Sequence, residues 1–265
     1  MLKHARALVF LLRTFEEKLL MRKSFTGFIF CLFIIVSFCV SLGFAQELVT
    51  SEEESGTAEK NSVSRKAEDS DDASDKKNEL TVWTGFAPNM STPFGGARKS
   101  TFMEVGFRYS RVLIGSDNVA LKYHVDLIPF AAINYQREQV FQSAPTSFFQ
   151  VYTSTKAFAF GVTPVGFQLN FRRKSKIQPF LTAEAGLLIF DKTIPDDRSP
   201  VFPNRFGKKL NFTLAGGGGI EFLSGSSRSY ILGFKFHHIS NASTGNINPG
   251  FDQNLFYFGY TFKKW

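Results

Sequence analysis

Apolar and polar residues alternate with a period of two along most of the chain beyond residue 80, which is the signature of half-buried β-strands. In 101–112 the odd positions Met103, Val105, Phe107 and Tyr109 oppose Glu104, Arg108 and Ser110. In 119–130, Val119, Leu121, Tyr123, Val125 and Leu127 oppose Lys122, His124 and Asp126. In 177–190, Leu181, Ala183, Ala185, Leu187 and Ile189 oppose Gln178, Thr182 and Glu184, and in 210–222, Leu210, Phe212, Leu214 and Phe222 lie opposite Asn211, Thr213 and Glu221. Further strands fit at about 80–86, 157–171, 229–241 and 252–262, the 157–171 strand being the least regular. That makes eight.

The connections alternate in length. They are short after the second, fourth and sixth strands (GSDN, RRKSK, SGSSR) and long after the first, third, fifth and seventh, as in 191–208. An even number of antiparallel strands with short turns at one end and long loops at the other predicts an all-β fold, an eight-stranded antiparallel outer-membrane β-barrel. Charged positions then point into a lumen too narrow for a channel. Glu104, Arg108, Lys122, His124, Asp126, Glu184, Glu221 and Lys235 are expected to form a packed ionic interior. Phe256, Phe258, Tyr260 and Phe262 are expected on the lipid face of the closing strand. The competing reading is a soluble barrel of lipocalin type, apolar inside and polar outside.

What precedes the strands favours the membrane. Arg22-Lys23 leads into an apolar run ending Gly43-Phe44-Ala45, the pattern of a secretory signal peptide over residues 1–45, with a start at Met21 as an alternative. An uncleaved anchor is the other reading of that run. Both cysteines, Cys31 and Cys39, leave with a cleaved signal, so no disulfide framework or cysteine-held zinc is expected. Residues 46–79 form an acidic tether without aromatics, unable to bury enough apolar area to offset its ordering entropy, and disorder is expected there. The barrel domain is expected over 80–265. From Thr81 onward the chain carries 20 bases against 10 acids, a net charge of +10 that the whole-chain value of +8 conceals. An exported basic domain suits a polyanionic partner such as a phosphorylated lipid or polysaccharide and disfavours nucleic acid. The mean hydropathy of −0.07 excludes a polytopic helical membrane protein.

The chemistry gathers near the carboxy terminus. In 229–241 one face carries Tyr230, Leu232, Phe234 and Phe236, and then His238 and Ser240. Two polar groups that continue a lipid-directed row break the barrel's own rule, and such positions are where function concentrates. Residues two apart on a strand share a face, so His238 is placed to take the Ser240 hydroxyl proton. Asp252 opens the next, antiparallel strand with the outward parity of Phe256, which brings His, Ser and Asp together as a triad requires. A His-x-Ser pair alone commonly marks interfacial polar residues; Asp252 is what separates this stretch from that case. His237 has the opposite parity and is expected in the lumen. Gly216 to Gly219 precede no helix and are expected to relieve crowding in a curved strand rather than to cradle phosphate. No metal-ligand spacing stands out.

The stretch KFHHISNASTGNINPGFDQNLFYFGY resembles the carboxy-terminal signature of the lipid A 3-O-deacylase (PagL-type) acyloxyacyl hydrolases, on the spacing of His238, Ser240, Asn241, Ala242, Gly250 and Asp252. Residues 177–190 and 211–222 resemble that family's fifth and sixth strands. The resemblance implies an outer-membrane serine esterase that removes an ester-linked acyl chain, 3-O by the family's name, from the lipid A of lipopolysaccharide. It implies Ser240 as nucleophile, His238 as general base, Asp252 as the residue orienting the histidine, Asn241 as an oxyanion donor, and no cofactor. Asp252 departs from the family's usual Glu. Two other functions fit the same pattern: a non-catalytic outer-membrane barrel binding envelope components, and an outer-membrane phospholipase or general esterase.

Overall fold

The computed structural model describes residues 78–88 and 100–265; the signal peptide and acidic tether expected from the sequence lie outside the described residues. Eight strands run β1 (Asn78–Ala87), β2 (Ser100–Gly115), β3 (Val119–Ala144), β4 (Ser147–Phe171), β5 (Ile177–Asp196), β6 (Phe206–Ser224), β7 (Arg228–Ser240) and β8 (Phe251–Lys264). Each pairs antiparallel with its neighbour in sequence, and β1 pairs with β8 to close the barrel. The seam is tied at its end by reciprocal backbone bonds between Asn78 and Trp265, 2.9 and 3.0 Å. No helix among the described residues is long and apolar enough to cross a membrane.

Burial decides which face is inward. Glu104 and Asp126 are 0% exposed and Arg108 4%, whereas Phe107 is 51% exposed. The interior is therefore polar and the exterior apolar, the reverse of a lipocalin-type barrel, and each of the eight charged residues expected inside is buried. Nearest the short turns, Lys122 Nζ donates to Glu79 and Glu221 at 2.9 Å, and Lys264 Nζ donates to Glu221 at 2.6 Å. Midway, Arg108 grips Asp126 with two bonds of 2.7 and 2.8 Å and reaches Glu184 at 2.7 Å, and Lys235 donates to Glu184 at 2.7 Å. The Lys235 ammonium also lies 4.4 Å from the Trp83 ring centre. Charges buried in this way persist only when each has partners. Toward the long loops the filling turns apolar, with Phe102, Ile133, Tyr135, Phe190, Ile194, Ile239 and Phe251 closing the lumen.

Two features of the strands differ from the sequence expectation. β3 and β4 continue well past 130 and 157, pairing without a long loop up to Ala144↔Ser147 around Pro145-Thr146. β5 and β6 likewise run on to Asp196 and back to Phe206. Toward the tip of the β3–β4 hairpin, from about 142 to 154, both faces meet water, so the in–out contrast on which the alternation depends fades while the backbone ladder continues. The irregularity of 157–171 has a cause in Pro164, which lacks a ladder N–H and sits in a register shift between Val162 and Val165; Pro129 stands in a corresponding shift of β3. In the glycine run of β6, a side chain on Gly217 would strike the backbone of Phe234 and Lys235, so close approach to β7 excludes a Cβ there.

Candidate active site

β7 carries its outward row from lipid-exposed Tyr230, Leu232 and Phe234 to half-buried Phe236, His238 and Ser240 at the long-loop end. Burial rises there because the β7–β8 connection, residues 241–250, folds back on the barrel rim. His238 and Asp252 are directly opposed partners of the β7–β8 ladder. Side chains of such a pair leave their strands on the same face, about 5 Å apart at their bases. The result is a contact of 2.5 Å between His238 Nδ1 and Asp252 Oδ1, the carboxylate side chain 4% exposed and the imidazole 35%. With Nδ1 on the carboxylate, Nε2 is left for another partner. Ser240 lies two residues on, about 6.6 Å along the strand and on the same face. Its own ladder partner is Phe212 of β6, and the β7–β8 ladder ends one residue before it, at Ile239↔Phe251.

Asn241 is buried, and its polar atoms organise the connection. Its backbone N–H donates to Asn248 Oδ1 at 3.0 Å, its Nδ2 donates to Ile247 O at 2.9 Å, and its Oδ1 accepts from Gly245 N at 3.2 Å. Thr244 donates to Asn241 O from its backbone N–H (3.0 Å) and its hydroxyl (2.7 Å). These bonds hold Ala242 and Ser243 at φ of 50° and 61°, a left-handed conformation that costs residues with a Cβ about 1–2 kcal/mol each. Asn246 and Ile247 donate to Phe206 O at 3.1 and 3.2 Å and anchor the loop to the start of β6. Gly250 re-enters β8 at φ +71°, and a Cβ there would lie 2.9 Å from His238 Cε1. Gly250 stands in the motif spacing and Asn248-Pro249-Gly250 is a turn signal in the sequence, whereas nothing in the sequence marks Thr244 as a support of the loop.

His237 faces inward, as its parity required, with its ring edge-on to Phe102 at 5.4 Å. His124, Asp126 and Glu184 form the one grouping of potential metal ligands among the described residues, their donor atoms within 4.8 Å of one another. The Arg108 guanidinium already lies against both carboxylates at 2.7 Å, where a cation would sit. That cluster holds the barrel together.

The sequence profile of a family described as lipid A 3-O-deacylase (PagL) matches residues 103–261, which take in the triad candidates and seven of the eight strands. The chain belongs to the PagL family. It is an outer-membrane β-barrel, with its short turns on the periplasmic side and its long loops outside. The solved structures it is similar to include "the outer membrane enzyme PagL", 17% identical over 68% of this chain and 97% of that one, with a TM-score of 0.45. Neisserial surface protein A (NspA) is 15% identical over 70% and 96%, with a TM-score of 0.39. No curated protein sequence matches. The ends fixed by this orientation put His238, Ser240 and Asp252 at the exterior rim, on the lipid-directed face.

Proposed function

We propose that this protein is a serine esterase of the outer leaflet that removes an ester-linked acyl chain, the 3-O chain by the name of its family, from lipid A. One observation carries the reading. A histidine on the lipid-directed face has one ring nitrogen 2.5 Å from a buried carboxylate, with a serine two positions along the same strand face. That is the constellation of an activated hydroxyl nucleophile.

In the proposed reaction, Ser240 Oγ attacks the ester carbonyl carbon while its proton passes to His238 Nε2. Asp252 holds the ring in the tautomer that presents Nε2 and stabilises the imidazolium as it forms. The tetrahedral intermediate collapses with cleavage of the bond to the sugar oxygen, which takes the proton from His238. Water repeats the sequence on the acyl-serine and releases the fatty acid. Asn241 Nδ2 has one hydrogen committed to Ile247 O, which leaves its second for the oxyanion. No cofactor enters.

The test is mass spectrometry of lipid A from lipopolysaccharide-bearing cells expressing wild type or Ser240→Ala, with folded protein verified in the outer membrane. Loss of one hydroxyacyl mass with wild type only is expected. Identical spectra would overturn the reading in favour of a non-catalytic barrel. Equal cleavage of glycerophospholipids in micelles would replace lipid A with a broader substrate class.

A further inference from the structure

The outer wall beside the triad ends in a row of cations. Apolar side chains cover β4, β5 and β6 up to exposed Phe158, Ile189 and Leu210. Immediately beyond them stand Lys156 on β4, Lys192 in the bulge of β5 between Ile189 and Ile194, and Lys208 on β6, all exposed. Lys156 alternates in phase with Phe158 and Phe160, and Lys208 with Leu210 and Phe212, so both leave the sheet on its lipid-directed side. Lys192 stands exposed in the register shift that interrupts the β5 alternation between them. Lys209 is exposed too, but it shares the parity of buried Asn211, toward the barrel mouth.

The lysines differ from the arginines of the same rim. Arg198 and Arg137 lie 2.8 and 3.5 Å from Asp196, and Arg205 lies 3.3 Å from Glu138 and 3.9 Å from Asp197. Among the described residues, Lys156, Lys192 and Lys208 have no carboxylate partner. Asp191, which adjoins Lys192 in the chain, accepts the backbone N–H of Phe158 at 3.0 Å. The row is also one-sided. At the corresponding outward positions, β8, β2 and β3 carry the neutral Asn254, Thr101, Asn134 and Gln136.

The row meets the triad on the side away from Asp252. β6 adjoins β7, with Phe212 opposite Ser240, and Lys208 stands four residues further out, about 13 Å along the strand. Lys156 lies two strands farther round, about 10 Å across the sheet. Unpaired ammonium groups directly above an apolar wall stand at headgroup depth, where the negative groups are phosphates, and each such cation strengthens anionic-lipid binding about fivefold.

We propose that Lys156, Lys192 and Lys208 form a phosphate-binding row for the substrate lipid, seating its phosphorylated sugar headgroup on the β6 side of Ser240 while the acyl chains lie against Leu210 and Phe212. This rests on the lipid A esterase reading and assigns that substrate a direction of approach. The row selects phosphorylated headgroups, and the triad acts on whatever ester it delivers.

The test compares the full-length protein with a Lys156→Gln/Lys192→Gln/Lys208→Gln variant and with the matching Lys→Arg variant in detergent micelles. The substrates are bisphosphorylated and monophosphorylated lipid A, and fluorescent forms of both report equilibrium binding. Wild type is expected to prefer the bisphosphorylated lipid, the Gln variant to lose about tenfold or more of that preference in KM and in binding, and the Arg variant to keep it. Unchanged preference in the Gln variant, in a barrel of wild-type heat-modifiable mobility, would overturn the proposal while hydrolysis itself left the esterase reading standing. Lysine-dependent binding without hydrolysis by wild type would keep the row and remove the esterase.

Discussion

His238 Nδ1 and Asp252 Oδ1 meet at 2.5 Å because their residues are directly opposed in the β7–β8 ladder. That register lets the short arm of Asp252 reach the imidazole, because directly opposed side chains leave their strands on the same face. The contact also commits Nδ1 and leaves Nε2 for another partner. Asp252→Asn preserves the shape of the pair and loses the charge that selects the tautomer, so acyl release is expected to fall about 10³–10⁴-fold with the barrel intact. Single-turnover hydrolysis in micelles, beside a folding check by gel mobility, measures this. Near-wild-type activity would remove Asp252 from the site.

Gly250 leaves to His238 the space that a side chain would take. Gly250→Ala introduces a Cβ 2.9 Å from Cε1 at a φ of +71°, which costs about 1–2 kcal/mol in backbone conformation and displaces the imidazole. Activity is expected to fall at least about tenfold while the thermal transition of the barrel moves little, because the strain is confined to the loop. Circular dichroism melting alongside hydrolysis rates separates the two effects.

Asn241 holds the β7–β8 loop together through its backbone and its side chain. Asn241→Ala leaves Ile247 O and Gly245 N without their partners, a loss of about 1–3 kcal/mol of local stability. Limited proteolysis is expected to open the chain within 241–250 in the variant at protease levels that leave wild type uncut. Protection equal to wild type would show that the Phe206 anchor and the backbone bonds of residue 241 hold the loop without the Asn241 side chain.

Arg108 neutralises Asp126 and Glu184 in the middle of the lumen. Arg108→Leu strands the buried Asp126 carboxylate and leaves Glu184 to Lys235, and is expected to destabilise the barrel by about 3–5 kcal/mol, read as a fall in the urea midpoint of unfolding in detergent. Arg108→Leu combined with Asp126→Asn, which removes the unpaired charge and keeps the Glu184–Lys235 pair, is expected to recover most of that loss.

Much of this protein is legible without coordinates. Alternation placed Glu104, Arg108, Asp126 and their partners on one face and Phe107, Leu127 and Phe212 on the other, because a strand sends successive side chains to opposite sides and a barrel wall separates water-tolerant from lipid-tolerant surroundings. The same parity placed His237 inside, and His238, Ser240 and Asp252 on the lipid-directed face. It lost the upper β3–β4 hairpin, where residues from about 142 to 154 meet water on both sides and polarity no longer alternates.

The strand pattern, the sorting of charged from apolar side chains and the candidate triad were determined by the sequence itself, since period and parity are local properties of a chain; which of the two faces turned inward was decided by closure of the barrel. Which cross-strand residues stand opposite each other was decided only by tertiary structure. Register is a cooperative outcome of closing the whole ring, and it puts Asp252 beside His238, Phe212 beside Ser240 and Lys208 beyond them. The buried bonds of Asn241 and the approach of Gly250 to the imidazole belong to the same class, because a loop's polar groups find partners only after the barrel rim has fixed where its two ends lie.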